Sequence, residues 1–335
     1  MHRTLGVALW GLGTYSRNEL APALRMTRHC RLVGVITPEA DKGRDWAMSE
    51  GFPLANVWHP DAIADLAARR DVDIVYLVTP NALHAGQAIA LAQAGKHIIC
   101  EKPFTVTAAE AERVLAACRV AGVKCAIGYR LHFDPHWNEL IRLAREKDFG
   151  PFTRMTGKIA AIVRERAWRV DGKLSGGGPL MDIGVYLIQA ACMAAGEATP
   201  IAVTAREGPK TRPDLFRDVE ESIAWTMEFP DGAVAEFETS YAAEACWFRA
   251  EASRGWFALP ARAILYRGIE AETSRGPLHF ESPPSQQALQ IDDFALCVRE
   301  GRESRVPGEM GLRDVRIIEA IYESARTGKR VPVKN

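Results

Sequence analysis

The sequence predicts two domains in tandem: a doubly wound parallel α/β sheet over residues 1–128, then an α+β domain over residues 129–335 with a large open, mostly antiparallel sheet. Three patterns carry this reading. Short continuous apolar runs alternate with helical spacing through the first 128 residues, as strands buried on both faces of a parallel sheet require. The first run feeds straight into a glycine-bearing turn. Past residue 129 the runs lengthen and alternate apolar with polar residues, the mark of strands with one face covered.

Composition sets the outer limits. A chain of 335 residues at 47% hydrophobic is too long for one small core and suits two. Lys plus Arg and Asp plus Glu each count 42, so no net field draws a polyanion and no nucleic-acid partner is expected. Seven scattered cysteines without a C-x-x-C pair indicate neither a disulfide framework nor a metal site, and reduced thiols in the cytoplasm are the default. No 18-residue apolar stretch occurs, and the run after Met1–Thr4 is too short for an export signal, so neither membrane insertion nor export is expected.

The first strand, Leu5–Trp10, opens into Gly11-Leu12-Gly13-Thr14-Tyr15-Ser16, and a helix follows over Asn18–Met26. Gly11 and Gly13 supply the tight turn and close backbone approach that a pyrophosphate needs at a helix N-terminus, with Ser16 in the third glycine's place. An ordinary strand–helix turn would read similarly. Recurrence of the pattern at Arg31–Ile36, Asp73–Val78, Lys96–Cys100, the helix Ala108–Ala121 and Cys125–Gly128 favours a dinucleotide-binding sheet.

The second strand ends at Ile36-Thr37-Pro38-Glu39, where an NAD enzyme places an acidic residue on the ribose. Thr37 leaves room for a 2′-phosphate and Lys42 could reach it, so NADP is favoured, although Lys42 could equally be an ordinary residue of the next helix. In Thr79-Pro80-Asn81-Ala82-Leu83-His84, Asn81 reads as an N-cap. Asn81 and His84 would face the cofactor crevice, the alternative for His84 being a structural role. The apolar run ending in Cys100-Glu101-Lys102-Pro103 stops at a carboxylate, an ammonium and a proline. Ligands bind beyond the carboxyl ends of such strands, so Lys102 would project into the crevice, unless Glu101-Lys102 is simply a solvated pair.

In the second domain a helix over Pro135–Glu146 precedes strands Phe152–Val163, Glu220–Phe229, Ala233–Tyr241 and Trp247–Ala252, with a hairpin turn at Asp231-Gly232 and a loop over Thr273–Gln287. A sheet with one face on a helix and the other flat and half apolar is expected to bury that face against a copy of itself, giving a homodimer or homotetramer. Gly176-Gly177-Gly178 would let backbone approach a ligand or the other domain. Asp182 and Tyr186 are four apart, hence on one helical face, either as chemistry or as a buried tyrosine with a capping aspartate.

Together, G-L-G-T-Y-S at Gly11, T-P-N-A-L-H at Thr79, C-E-K-P at Cys100, G-Y-R-L-H-F-D-P at Gly128 and G-G-G-P-L-M-D-I-G-V-Y at Gly176 resemble the Gfo/Idh/MocA oxidoreductase family, over essentially the whole chain. Tyr186, A-W-R at Ala167 and the tail from Ile317 are most similar to its glucose-fructose oxidoreductase branch. That resemblance implies an N-terminal Rossmann domain, Lys102 and Tyr186 as a catalytic pair with Asp182 as partner, and Arg130, Trp168, Arg169 and Tyr241 near cofactor or substrate. It implies a sugar oxidoreductase that takes an aldose to its lactone with NADP and reduces a second sugar to an alditol on the same retained cofactor. Alternatives within and beyond the family are a xylose or aldose 1-dehydrogenase, a trans-dihydrodiol dehydrogenase, both with exchanging cofactor, and a non-catalytic NADP-binding regulator. Exported members of that branch carry a signal peptide and an N-terminal arm over a neighbour's cofactor. Neither is expected here, so location and assembly are not taken from the resemblance. Chemically, an ammonium beside a phenol favours the phenolate, so Lys102 would ready Tyr186 to take a proton from a sugar hydroxyl.

Overall fold

Leu5–Trp10, strand β1, is buried at all six positions, which is why it carries no polar side chain. In the computed structural model, which describes residues 3–281 and 283–334, this strand lies near the middle of a six-stranded sheet. Met1, His2, Ser282 and Asn335, which the sequence reading places in the lead-in, the 273–287 loop and the C-terminal end, lie outside the described residues. The sheet adds β2 (Cys30–Ile36), β3 (Val57–Trp58), β4 (Ile74–Leu77), β5 (His97–Cys100) and β6 (Cys125–Ile127). Its order is β3-β2-β1-β4-β5-β6 and every pair is parallel, the doubly wound arrangement expected. Helices α1 (Ala21–Met26), α2 (Ala40–Glu50), α3 (His84–Gln93) and α4 (Ala108–Ala121) make the crossovers. The order reverses beside β1, so the carboxyl ends of β1 and β4 border the switch point where such sheets bind ligands.

The second unit begins at α5 (Pro135–Glu146), whose N-cap Asp134 accepts from the backbone N–H of His136 at 2.9 Å. A nine-stranded sheet follows: β7 (Phe152–Ala160), β8 (Ala202–Glu207), β9 (Ser222–Glu228), β10 (Val234–Ser240), β11 (Ala245–Ala252), β12 (Gly255–Leu259), β13 (Ala271–Thr273), β14 (Gly276–Leu278) and β15 (Val331–Pro332). All its pairings are antiparallel except β7 with β10. Between β7 and β8 lie the single-turn α6 (Gly172–Ser175) and α7 (Val185–Ala194). Every residue of α7 is buried, so it reads as apolar all round and packs on the inner face of the sheet. Two C-terminal helices complete the chain, α8 (Gln286–Glu300) and α9 (Gly308–Thr327).

Two expectations change. The chain does not divide once near 128: residues Pro284–Leu312, including α8, cluster with the nucleotide-type unit. Asp292 of α8 accepts from the N–H groups of Arg28 and His29, and Gln290 donates to the Ile127 carbonyl at 2.9 Å. These long-range bonds tie the segment back to β2 and β6 and leave no trace in local sequence. The stretch Thr273–Gln287, read as loop, contains the turn of the β13–β14 hairpin, strand β14 and the first two residues of α8. The open face of the large sheet carries ion pairs beside its apolar residues: Arg154 pairs with Glu236 and Lys158 with Glu238 across β7 and β10, both at 2.8 Å.

Candidate active site

Gly11 adopts φ +106°, and a Cβ there would stand 2.5 Å from the Val78 carbonyl, so only glycine permits this turn. Around Gly13 the space is open, with nothing within 4 Å of where a Cβ would be. A bare backbone facing open space at a helix start is what a pyrophosphate needs, and on this observation the turn fits a dinucleotide. Ser16, in the third glycine's position, is buried and its hydroxyl donates to the Gly11 carbonyl at 2.7 Å, holding the turn closed. Residues Ser16–Leu20 wind as a π-turn ahead of α1, an irregularity that recurs at functional sites. Leu12 is buried, Thr14 is exposed, and the Tyr15 hydroxyl accepts from Gln287 at 3.4 Å.

The other sequence-predicted residues of this half fall into two groups. Thr37 closes β2, buried, its Oγ1 accepting the Glu39 N–H at 3.1 Å. Lys42 lies on the first turn of α2, partly exposed and paired with Glu39 at 3.1 Å. Glu101 is not a loose surface carboxylate: it accepts from the Tyr76 hydroxyl at 2.8 Å and from the Lys102 N–H at 3.2 Å. Burial pushes its carboxyl up, with the Lys102 ammonium and the Tyr76 hydroxyl opposing. Lys102 follows β5 and is half-buried, ahead of a cis peptide to Pro103.

Thr79 bonds Gln87 at 2.6 Å. Asn81 does not cap α3 as expected: it opens a short 3-10 turn whose cap is Pro80, because the backbone tightens before the α-helix begins at His84. His84, read as facing the crevice, is fully buried among backbone carbonyls. Its Nε2 lies 2.9 Å from the Thr79 oxygen and its Nδ1 3.1 and 3.2 Å from those of Pro103 and Phe104, and burial pushes its proton affinity down. It clamps the end of β4 to the segment after Lys102. Arg130 is buried and bonds Gln286 at 2.5 Å, a partner from α8 that sequence reasoning did not supply.

In the sheet unit, Asp182 is the hub. Its carboxylate accepts from the Tyr241 hydroxyl at 2.9 Å and from Arg169 Nε at 3.1 Å. Arg169 also stacks its guanidinium 4.7 Å from the Trp168 ring, so the 168–170 turn is pinned to Asp182. Tyr241 is buried against Phe216, and burial together with Asp182 pushes its hydroxyl well up, which keeps it a neutral donor and no base. Tyr186 is buried on the first turn of α7. Residues Leu180–Gly184 form a second π-turn, so the four-residue step from Asp182 to Tyr186 crosses a wider turn than an α-helix would make.

Sequence reasoning missed what holds this turn. The buried Glu220 carboxylate accepts the Gly178 N–H at 2.8 Å, the Leu180 N–H at 3.0 Å and the Tyr322 hydroxyl at 2.9 Å. A Cβ on Gly178 would lie 2.3 Å from the Glu220 carbonyl, and one on Gly177 2.0 Å from the Tyr322 hydroxyl. Those two glycines therefore serve a close approach within their own unit. The available signal was Glu220-Glu221, an acidic pair at the head of an apolar strand.

A glycine turn open for a dinucleotide at the switch point of a parallel sheet, joined in one chain to a mostly antiparallel unit in which Asp182 links a buried Tyr241 to a solvent-facing Arg169, defines a two-domain nicotinamide-dinucleotide oxidoreductase. Family models agree along the chain: the oxidoreductase family NAD-binding Rossmann fold over residues 5–129, the GFO/IDH/MocA C-terminal domain over 137–258, and the oxidoreductase family C-terminal alpha/beta domain over 272–334. The D-xylose 1-dehydrogenase (NADP(+)) 2 of Haloferax volcanii is 30% identical over 99% of both chains. That of Haloarcula marismortui is 27% identical, over 97% of this chain and 92% of its own length. The aldose-aldose oxidoreductase of Caulobacter crescentus, solved with glycerol, superposes with a TM-score of 0.95 at 35% identity, covering 98% of this chain and all of that one. The chain belongs to the Gfo/Idh/MocA family of oxidoreductases.

Proposed function

We propose that this protein is an NADP-dependent sugar oxidoreductase that oxidises the anomeric carbon of an aldose to a lactone and reduces a second sugar to an alditol on one retained cofactor. The observation that carries this is the end-to-end similarity, in sequence and fold, to an aldose-aldose oxidoreductase. Two NADP-linked xylose dehydrogenases among its relatives support the cofactor and the sugar class.

The Gly11–Gly13 turn would hold the pyrophosphate, with Thr37 and Lys42 at the 2′-phosphate. When bound there, NADP would supply the hydride acceptor for C1 of the sugar and, once reduced, the hydride donor for a carbonyl carbon. Tyr186 takes the proton of the anomeric hydroxyl and, in reverse, protonates the carbonyl oxygen. Lys102 polarises that oxygen and favours the tyrosinate. Asp182, locked by Arg169 and Tyr241, keeps the Tyr186 turn in place, and the Trp168–Arg169 segment retards cofactor release. No helix among the described residues is long and apolar enough to cross a membrane. A cytoplasmic homodimer or homotetramer, joined through the open sheet face, completes the reading.

The test is incubation of purified protein with a single aldose and no added NADP. Lactone, or its aldonic acid, and alditol should appear in equal amounts over many turnovers, with parallel double-reciprocal lines for the two sugars. Product that forms only when NADP is supplied, and in proportion to it, would make this an ordinary aldose dehydrogenase.

A further inference from the structure

All seven cysteines are thiols, and two of them share a pocket. Helix α4 ends with the Val123 N–H donating to the Cys118 carbonyl at 3.0 Å and the Gly122 N–H to that of Arg119 at 3.2 Å, around a left-handed Gly122. This closure turns the chain back across the last helical turn, so that Cys125, two residues on at the start of β6, arrives beside Cys118. Both thiols line a surface pocket of about 390 Å³. Its cations are Arg119 and Lys124, and its carboxylates Glu303 and Glu309. On the far side of Cys125 the wall is Gly308, whose missing Cβ would stand 3.6 Å from Cys125 Sγ.

We propose that Cys118 and Cys125 form a dithiol exchange site for low-molecular-weight disulfides that carry carboxylate and ammonium groups. Arg119 and Lys124 match the carboxylates of such a molecule, and Glu303 and Glu309 its ammonium. The two thiols differ in readiness: Cys125 donates toward Cys118 and holds its thiol below the usual value, while the same contact and burial hold Cys125 well above. At Cys192 and Cys297 burial is the largest cause, pushing Cys192 up to about 12 and Cys297 up to about 11. Those cysteines are the inert kind.

The chemistry balances as two exchanges. The Cys118 thiolate attacks one sulfur of the small disulfide, the S–S bond breaks, and one small thiol leaves carrying the proton Cys118 released. Cys125 then gives up its proton and attacks Cys118 Sγ, expelling the second small thiol. The protein loses two protons and two electrons, and the small disulfide takes them up to become two thiols.

The experiment treats the fully reduced, full-length protein with a graded series of oxidised and reduced glutathione, followed by acid quench, alkylation and peptide mapping. Wild type should lose two hydrogens and yield a Cys118–Cys125 linked peptide that thiol reductant reverses. Cys125→Ser should stop at a glutathionyl adduct on Cys118, and Cys118→Ser should be modified at Cys125 at least about tenfold more slowly than Cys118 is in wild type, as the lower thiolate fraction requires. Wild-type protein that shows no linked peptide at any ratio, or that is modified first at another cysteine, overturns the proposal without reference to the variants.

Discussion

Glu220→Ala tests whether the turn bearing Asp182 is held from beneath. In the native fold the Glu220 carboxylate satisfies three donors: the buried Gly178 and Leu180 N–H groups and the hydroxyl of the half-buried Tyr322. Alanine removes the acceptor from all three and leaves two of them buried, and each buried unsatisfied group costs about 1–3 kcal/mol, so roughly 2–6 kcal/mol should be lost. Against typical domain stabilities of about 5–15 kcal/mol this is a large fraction. Urea unfolding should show a much lower midpoint with an unchanged slope. Hydrogen exchange should quicken first at the amides of residues 178–184. Glu220→Gln keeps the shape but turns an NH2 toward a donor, and should cost about 1–3 kcal/mol.

The same residue gives a pH signature with a definite sign. Burial pushes the Glu220 carboxyl above its ordinary value, with the Leu180 and Gly178 N–H groups and Tyr322 opposing. The folded state therefore keeps a proton that the unfolded chain has already released. Its contribution is complete below the ordinary carboxylate value and declines as pH rises through the raised one. Wild-type stability should fall relative to Glu220→Gln over that window. Equal stability of Glu220→Ala and wild type, or identical pH profiles for wild type and Glu220→Gln, would refute the reasoning.

Two further outcomes are expected. Lys102→Ala and Tyr186→Phe should fold and bind NADP yet lose about 10²-fold or more in kcat, the usual scale for acid–base groups, and a Tyr186→Phe enzyme with near-normal kcat would remove Tyr186 from the chemistry. Lys42→Ala should weaken NADP binding about tenfold, the low end for a charge-assisted contact because Glu39 competes for the ammonium, while NAD binding stays unchanged; equal losses for both cofactors would show that Lys42 does not touch the 2′-phosphate.

Much of the fold was legible in the sequence because its signals are local. Continuous apolar runs specify strands covered on both faces, as in β1, and a glycine at a position with positive φ specifies the turn after it. Helix α5 was legible from the pattern over Pro135–Glu146, while its cap Asp134 came from the structure. Candidate residues that follow strand ends, Thr37 and Lys102, were found by the rule that parallel sheets bind ligands there. What the sequence could not decide was what each side chain meets. His84 and Asn81 were placed on the right segment, but His84 spends its ring on three backbone carbonyls, a contact set by the turn after Lys102 and not by its neighbours in sequence. The partners of Asp182 come from 13 residues upstream and 59 downstream, and Glu220 reaches Tyr322 across 102 residues. Periodicity reports which face of an element is buried and carries nothing about which distant element covers it. Tertiary structure alone therefore assigned α8 to the nucleotide unit, and it alone turned an unremarked glutamate into the anchor of the candidate site.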